Sequence, residues 1–205
     1  MNLPTQLTLL RILLSPVFVF LLFIDSALSR ICAFFVFSIA TLTDWYDGYT
    51  ARKFGDVSMW GKFLDPLADK ILVSSGFISF SIMGYVEAWM VLIIVVRDFL
   101  ITGFRSYAII KGEPISTSML AKAKTFGQFG ILYFIFLFHM FTGGIQDRKM
   151  EGLFQTIEDL DIILILMYVI TIITVLSGVV YFIENRSHLR KMADDIYRIF
   201  APSDI

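Results

Sequence analysis

A single cysteine, Cys32, occurs among the 205 residues, so the chain cannot form an internal disulfide bond. Only two histidines are present, His139 and His188, and neither has other metal-binding residues at a useful spacing. We therefore interpret both as structural. The formal net charge is −1 and no basic stripe occurs, so the composition gives no indication of nucleic-acid binding. Internal repeats, low-complexity tracts and proline-rich linkers are also missing, which leaves no visible boundary between domains.

Long apolar runs dominate the sequence instead. Hydrophobic residues make up 57% of the chain, whereas an ordinary soluble domain contains about half. A membrane-spanning helix needs roughly 20 apolar residues, and runs of about this length cover residues 7–24, 31–52, 58–86, 88–110, 119–141 and 162–183. Because lipid offers no water to backbone N–H and C=O groups, such segments must be helices. We predict an all-α integral membrane protein with six transmembrane helices, in one membrane-embedded domain over residues 1–205.

The Lys and Arg residues between these runs predict an orientation. They cluster after the second run, between the fourth and fifth runs, and in the tail: Arg52, Lys53, Lys62, Lys111, Lys122, Lys124, Arg186, Arg190, Lys191 and Arg198. The link at 83–89 contains none, and the loop predicted between the last two runs carries both signs. Because positive residues favour the cytoplasmic side, we expect both ends of the chain there. The tail after residue 184 fits either a helix on the membrane surface or a solvated extension.

Four aspartates lie at the cytoplasmic ends of the second and third predicted helices: Asp44, Asp47, Asp65 and Asp69. A carboxylate at membrane depth is costly and is by default a sign of function. Spacings of three and four residues place each pair on one face of its helix. The two helices run antiparallel through a turn near 54–57, and members of the two pairs lie at similar distances from it. With about 1.5 Å of rise per residue, all four could meet roughly 15 Å from the turn.

Such a group of carboxylates needs cations, because close negative charges repel. Oxygen-only ligands suit Mg²⁺ or Mn²⁺, and two metal ions about 4 Å apart form a clamp for in-line displacement at phosphorus. Two other interpretations stay open. The aspartates could be surface charges paired with Arg52, Lys62 and Lys70, or they could form a Na⁺ or H⁺ transport site. No inverted repeat or broken pair of helices favours transport.

The aspartates belong to a longer pattern with fixed gaps. It reads Asp44-x-x-Asp47-Gly48-x-x-Ala51-Arg52, then eight residues, then Gly61-x-x-x-Asp65-x-x-x-Asp69. The pattern resembles the signature of the CDP-alcohol phosphatidyltransferase family at every fixed position. The resemblance implies a homodimer of six-helix subunits in which the four aspartates hold two divalent cations, Mg²⁺ or Mn²⁺, and Asp69 is also the general base. It further implies a pocket for the CDP group lined by Gly48, Arg52, Ser58 and Gly61.

Other segments resemble one bacterial subfamily, the phosphatidylglycerophosphate synthases. They are residues 2–11, 43–48 and 63–70, Arg97-Asp98 with Arg105, and Lys122-x-Lys124-Thr125. Together the resemblance covers roughly residues 2–130, and the final third matches only in hydropathy. One departure is Asp98, where that subfamily leads us to expect Glu. The resemblance implies transfer of the phosphatidyl group from CDP-diacylglycerol to glycerol 3-phosphate, with CMP as the other product.

The acceptor's phosphate would need fixed cations, and the planar fork of arginine suits phosphate. Arg97 and Arg105 are eight residues apart on the fourth predicted helix, so they lie on roughly one side. The alternative for Arg97 is a salt bridge to Asp98 or to one of the four aspartates. Lys122 and Lys124 are two residues apart and cannot share a face, so we expect one to contact ligand while the other extends to lipid headgroups.

These interpretations predict a metal-dependent phosphatidyltransferase of phospholipid biosynthesis in the bacterial cytoplasmic membrane. The donor is a lipid and the acceptor is cytosolic, so the active site should face the cytoplasm near the inner leaflet. Within the class, phosphatidylglycerol, serine or an inositol phosphate remains an alternative acceptor. Outside the class, the alternative is the ion-coupled transporter.

Overall fold

The computed structural model describes the backbone of residues 3–54, 59–112, 115, 119–142, 148–190 and 192. It describes the side chains of the same residues except those of 3–5, 44–54, 59–63, 142, 148–151, 153 and 154. Throughout this part of the chain the regular structure is α-helical, and no strand is present. The prediction of an all-α fold is therefore confirmed.

Helices follow the predicted apolar runs closely. The described elements are α1 (Leu3–Leu22), α2 (Ala27–Phe54), α3 (Met59–Ile82), α4 (Ala88–Ile110), α5 (Met119–Thr142), α6 (Arg148–Asp159) and α7 (Ile162–Glu184). By length and composition, two stretches among the described residues qualify as membrane spans, Met119–Phe141 and Ile162–Glu184, while Gln6–Leu22 and Ala27–Thr43 are shorter apolar helices. Association with a membrane is supported, and the number of spans stays a prediction.

Helix α6 differs from the predicted loop between the last two apolar runs. It is short, with 12 residues, and rich in polar side chains, so a search for bilayer-length apolar runs passes over it. Its apolar residues Met150, Phe154 and Ile157 are nonetheless spaced by four and three positions, which is a helical pattern. Beyond α7, residues 186–190 are also helical, and the rest of the predicted tail after 192 lies outside the described residues.

Two sets of helices build the bundle. Helix α1 packs against α2 and α3, while α7 packs against α4 and α5, and α3 also contacts α4. A glycine allows α5 and α7 to approach closely, since a Cβ at Gly127 would lie 2.8 Å from Cδ1 of Ile170. Buried aromatic rings of Phe18, Phe37, Phe80 and Phe136 fill one end of the bundle. Polar side chains occupy the other end.

The outer surface of the described bundle is more apolar than that of a soluble protein, and several polar side chains are buried inside it. Large apolar side chains such as Leu13, Phe20 and Leu28 are about two-thirds exposed on the outer surface. Charged and polar side chains are buried inside: Arg11, Asp98, Lys124, Gln128, Thr174 and Ser177. An apolar exterior is what lipid tails favour, and ionisable groups inside such a bundle indicate function.

Candidate active site

Arg11 connects three helices at the polar end of the bundle. Its side chain is fully buried, and its Nε donates to the carbonyl oxygen of Ala40 on α2 at 3.3 Å. One of its terminal nitrogens lies 3.4 Å from Oδ1 of Asp65 on α3, and the Thr8 hydroxyl donates to the same oxygen at 3.4 Å. In a regular helix the carbonyl of Ala40 faces the amide of Asp44, four residues ahead. One arginine side chain thus links Asp65 to the turn of α2 at which the predicted metal ligands begin.

Asp69 lies one turn after Asp65 on α3. Its Oδ2 forms an ion pair with the Lys70 ammonium group at 3.1 Å. Its Oδ1 is buried and has no hydrogen-bond partner among the described residues. A buried carboxylate oxygen without a partner is costly unless a cation or a proton donor meets it. Asp69 therefore has one oxygen available for a metal ion or a substrate hydroxyl, and an oxygen donor suits Mg²⁺ or Mn²⁺.

The other residues predicted for the metal and CDP sites are described only in part. Asp44, Gly48 and Arg52 lie in α2 together with Asp47, and Gly61 lies in α3. Their surroundings, and Ser58 altogether, fall outside the described residues. The side chains that are described contain no group of three or more acidic, His or Cys residues placed to hold a metal ion. Sharing of metals by the four aspartates remains a prediction.

A cavity of about 240 Å³ opens beside this end of α3, between α4, α5 and α7. We call it the cationic cavity. Its lining contains the side chains of Lys70, Arg97, Arg105 and Lys122, with Asp98 as the acidic member. The prediction that Arg97 and Arg105 share one side of their helix is confirmed, because both line this space. An excess of positive charge in a cleft suits a multiply charged anion.

Arg97 is anchored at two points inside the cavity. One terminal nitrogen donates to Oδ1 of Asp98 at 3.2 Å, and the other donates to the Ser177 hydroxyl of α7 at 2.9 Å. The salt bridge to Asp98, weighed above as the alternative for Arg97, is therefore present. It does not exclude a ligand role, since a guanidinium group carries five N–H donors and these bonds use two of them.

Comparison with known proteins decides the family. A family model described as CDP-alcohol phosphatidyltransferase matches residues 1–180. The chain belongs to the CDP-alcohol phosphatidyltransferase family. This confirms the resemblance inferred from the motif, and it extends the match well into the final third of the chain, where the motif residues gave no information.

Curated relatives point to one branch of the family. The chain is 40% identical over 139 residues to a CDP-diacylglycerol–glycerol-3-phosphate 3-phosphatidyltransferase of Bacillus subtilis, covering 62% of this chain and 72% of the relative. It is 34% identical over 182 residues to a protein of the same name from Rickettsia typhi, covering 88% and 95%. A probable phosphatidylglycerophosphate synthase of Mycobacterium tuberculosis is 38% identical over 130 residues, 62% of each chain.

The two lysines of α5, Lys122 and Lys124, have different surroundings, as their spacing of two residues predicts. Lys122 lines the cationic cavity and its side chain is exposed. Lys124 is 1% exposed and contacts Oδ1 of Asp98. Lys124 is therefore not the residue that extends to lipid headgroups, and a ligand contact of either lysine stays a prediction.

Helix α7 supplies cavity residues that the sequence analysis missed. Tyr181 lines the cavity, and Ser177 binds Arg97. A Cβ on Gly178 would lie 3.4 Å from Cγ of Arg97, so the arginine stem lies against bare backbone. A signal did exist, because small or polar residues recur on one face of an otherwise apolar helix at Thr171, Thr174, Ser177, Gly178 and Tyr181.

Neither histidine is among the described residues that line the cationic cavity. Nδ1 of His139 lies 2.9 Å from the Tyr85 hydroxyl, at the aromatic end of the bundle. Nδ1 of His188 lies 3.5 Å from the Ser187 hydroxyl, in the segment after α7. A structural role for both histidines stays a prediction.

Proposed function

We propose that this chain transfers the phosphatidyl group from CDP-diacylglycerol to glycerol 3-phosphate, giving phosphatidylglycerophosphate and CMP. The observation that carries the proposal is the position of Lys70. Its ammonium group is bonded to Asp69 while its side chain lines the cationic cavity. A phosphate held in that cavity would keep its attached glycerol hydroxyl close to the carboxylate. Relatives with this activity in their names cover most of the chain.

The residues of the chain have distinct tasks in this reaction. The four aspartates Asp44, Asp47, Asp65 and Asp69 would hold two divalent cations, Mg²⁺ or Mn²⁺, whose charge would offset that of the CDP pyrophosphate. Gly48, Arg52, Ser58 and Gly61 would receive the CDP group. Asp69 takes the proton from the primary hydroxyl of the acceptor. The freed oxygen attacks the phosphorus that bears diacylglycerol, and the bond from that phosphorus to CMP breaks.

The acceptor's phosphate would occupy the cationic cavity. Arg97 retains three N–H donors after its bonds to Asp98 and Ser177. Nε of Arg105 is buried and has no hydrogen-bond partner among the described residues, so it is available to a ligand. Lys122 adds a third cation at the cavity wall. Of the two lysines on α5, we assign the ligand contact to Lys122, because Lys124 is already committed to Asp98.

The acceptor assignment is tested by measuring CMP release from CDP-diacylglycerol with a panel of acceptors. Purified protein in detergent would be supplied with glycerol 3-phosphate, phosphatidylglycerol, serine or inositol phosphate. We expect rapid release with glycerol 3-phosphate alone, because a small dianion fits the cavity charge. Equal or faster release with serine would assign the chain to another branch of the family. Movement of Na⁺ or H⁺ across vesicles without CMP release would support the transporter.

Changing the cavity arginines should weaken acceptor binding more than donor binding. A hydrogen bond to a charged group is worth about 1.5–3 kcal/mol, which is roughly 10- to 150-fold in binding. We expect Arg97→Ala and Arg105→Ala each to raise the apparent KM for glycerol 3-phosphate by about this factor. The donor KM should change much less. Lysine at either position should restore part of the loss, since it supplies charge without the planar fork.

The matched control is Arg30→Ala. Arg30 pairs with Asp25 in the α1–α2 region and is absent from the cavity lining, so its acceptor KM should stay at the wild-type value. Steady-state kinetics with each substrate varied in turn provides the readout. An unchanged acceptor KM in both cavity variants would place the phosphate pocket elsewhere and direct attention to Lys122 and the basic tail.

The same proposal includes the cellular setting. We place the protein in the bacterial cytoplasmic membrane as a multi-pass homodimer with its active site facing the cytoplasm. Support comes from the bacterial origin of the relatives, from two apolar helices of sufficient length, and from the clusters of Lys and Arg between the predicted apolar runs and in the tail. The predicted orientation is tested with an Ile205→Cys variant that also lacks Cys32. The new cysteine would be labelled from each side of sealed membranes.

A further inference from the structure

Asp98 is the most heavily engaged acid among the described residues. It is 2% exposed, and it receives contacts from three helices. Its Oδ1 meets Lys124 and Arg97, while its Oδ2 accepts from Nε2 of Gln128 at 3.2 Å and lies 4.0 Å from the Lys70 ammonium group. We call Asp98 and these four partners the Asp98 cluster. A single buried carboxylate therefore faces three cations.

Two of those cations belong to the reaction site and one does not. Arg97 and Lys70 line the cationic cavity, and Lys70 also binds Asp69. Lys124 is buried among protein side chains. A salt bridge that served only to neutralise Lys124 would need one partner. The observed carboxylate instead extends to both cavity cations, which gives it the means to set their positions.

The contacts of Arg97 show how Asp98 would set the position of a cavity cation. Asp98 binds one terminal nitrogen and Ser177 binds the other, so the guanidinium plane is held between α4 and α7. Without the carboxylate, like charges on Arg97, Lys70 and Lys124 would repel one another across a poorly solvated space. A long side chain released from such an anchor regains rotamer freedom, which binding of the phosphate must then remove.

We propose that Asp98 is a positioning residue for the acceptor: it holds Arg97 and Lys70 at the wall of the cationic cavity, and so sets the acceptor phosphate at a fixed place relative to Asp69. The inference rests on the proposed function. It assigns to a buried acid, which need not touch substrate, the task of arranging the groups that do.

A double-mutant comparison separates positioning from simple neutralisation. The variants are Asp98→Asn, Lys124→Met and the two combined, each as full-length protein with its thermal stability measured in detergent. Asp98→Asn alone leaves excess positive charge buried and should lower stability. Combining it with Lys124→Met removes one charge of each sign and should recover much of that stability.

Kinetics of the combined variant give the decisive result. We expect the apparent KM of the combined variant for glycerol 3-phosphate to stay about 10-fold or more above the wild-type value, which is the low end for loss of a charged hydrogen bond. Its KM for the donor should stay within about twofold to threefold of the wild-type value. Asp98→Glu keeps the carboxylate and should lie closer to wild type than Asp98→Asn does. Recovery of the wild-type acceptor KM by the combined variant would overturn the proposal, because Asp98 would then serve Lys124 alone.

Controls keep this result distinct from failure of the proposed function. Tyr85→Phe removes a partly buried hydrogen bond, to His139 at the far end of the bundle, and should leave the acceptor KM unchanged. Wild-type protein must first release CMP with glycerol 3-phosphate, which tests the reaction itself. If wild type passes and Asp98→Asn folds with an unchanged acceptor KM, the reaction stands and the positioning role is wrong.

Discussion

Exhaustive chelation of the purified protein with EDTA should abolish CMP release, and Mg²⁺ or Mn²⁺ should restore it. The reason is the pattern of carboxylates at one end of α2 and α3. Arg11 links Asp65 to the turn of α2 just before Asp44, and Oδ1 of Asp69 is buried with no hydrogen-bond partner in the part of the chain that the structure describes. If the four aspartates meet as predicted, they can bind a substrate pyrophosphate only when cations separate the negative charges. The expected effect is therefore complete loss.

The measurement is CMP release at saturating substrates after chelation, dialysis and readdition of each metal. Ca²⁺ serves as a second probe, because it prefers longer bonds and more ligands than Mg²⁺ does, and we expect it to restore little activity. Thermal stability measured in parallel shows whether chelation has unfolded the protein. Full activity in folded, metal-free protein would contradict the metal hypothesis and remove the assignment of the four aspartates.

Asp69→Asn should reduce turnover by at least about 100-fold, the low end for loss of a general base. Asparagine keeps the size of the side chain and its ability to accept a hydrogen bond from Lys70, but it cannot take a proton from the acceptor. If Asp69 also holds a metal ion, the loss will be larger. The variant should still bind CDP-diacylglycerol, although more weakly. Turnover with saturating donor and acceptor is the quantity to compare.

A matched substitution controls for the chemistry of the change. Asp25→Asn alters an exposed acid that pairs with Arg30, and its turnover should match wild type. Binding of CDP-diacylglycerol by Asp69→Asn, measured separately, shows that the site remains assembled. Near-normal turnover by this variant would remove Asp69 from the proton transfer and would leave the identity of the base open.

Helix positions were predictable because the signal is local. Apolar runs of bilayer length predicted the six longer helices to within a few residues: residues 88–110 coincide with α4 (Ala88–Ile110), whereas residues 58–86 compare with α3 (Met59–Ile82). Helix α6 was missed because it is too short and too polar to register as a run. The family was also predictable, since eight residues with fixed gaps identify it and the family model later matched residues 1–180.

The same distinction applies to the site residues: those placed by spacing within one helix were predictable, and those brought together from separate helices were not. The spacing of Arg97 and Arg105 on one helix was enough to place both on one side, and both line the cationic cavity. Helix α7 was different. Its Ser177 lies 80 residues from the Arg97 that it binds, and no spacing rule connects positions on separate helices. Its polar face could be seen in the sequence, but the helix that it contacts could not.

By itself, the sequence determined the helical class, the family and the acidic motif, because each depends on residues within one helix or one hairpin of helices. Only the tertiary structure decided which charges meet. Lys122 and Lys124 are alike in sequence, yet one lines the cavity and the other contacts Asp98 across 26 residues of chain. That choice depends on how each helix is rotated about its axis, and the rotation follows from packing of the whole bundle.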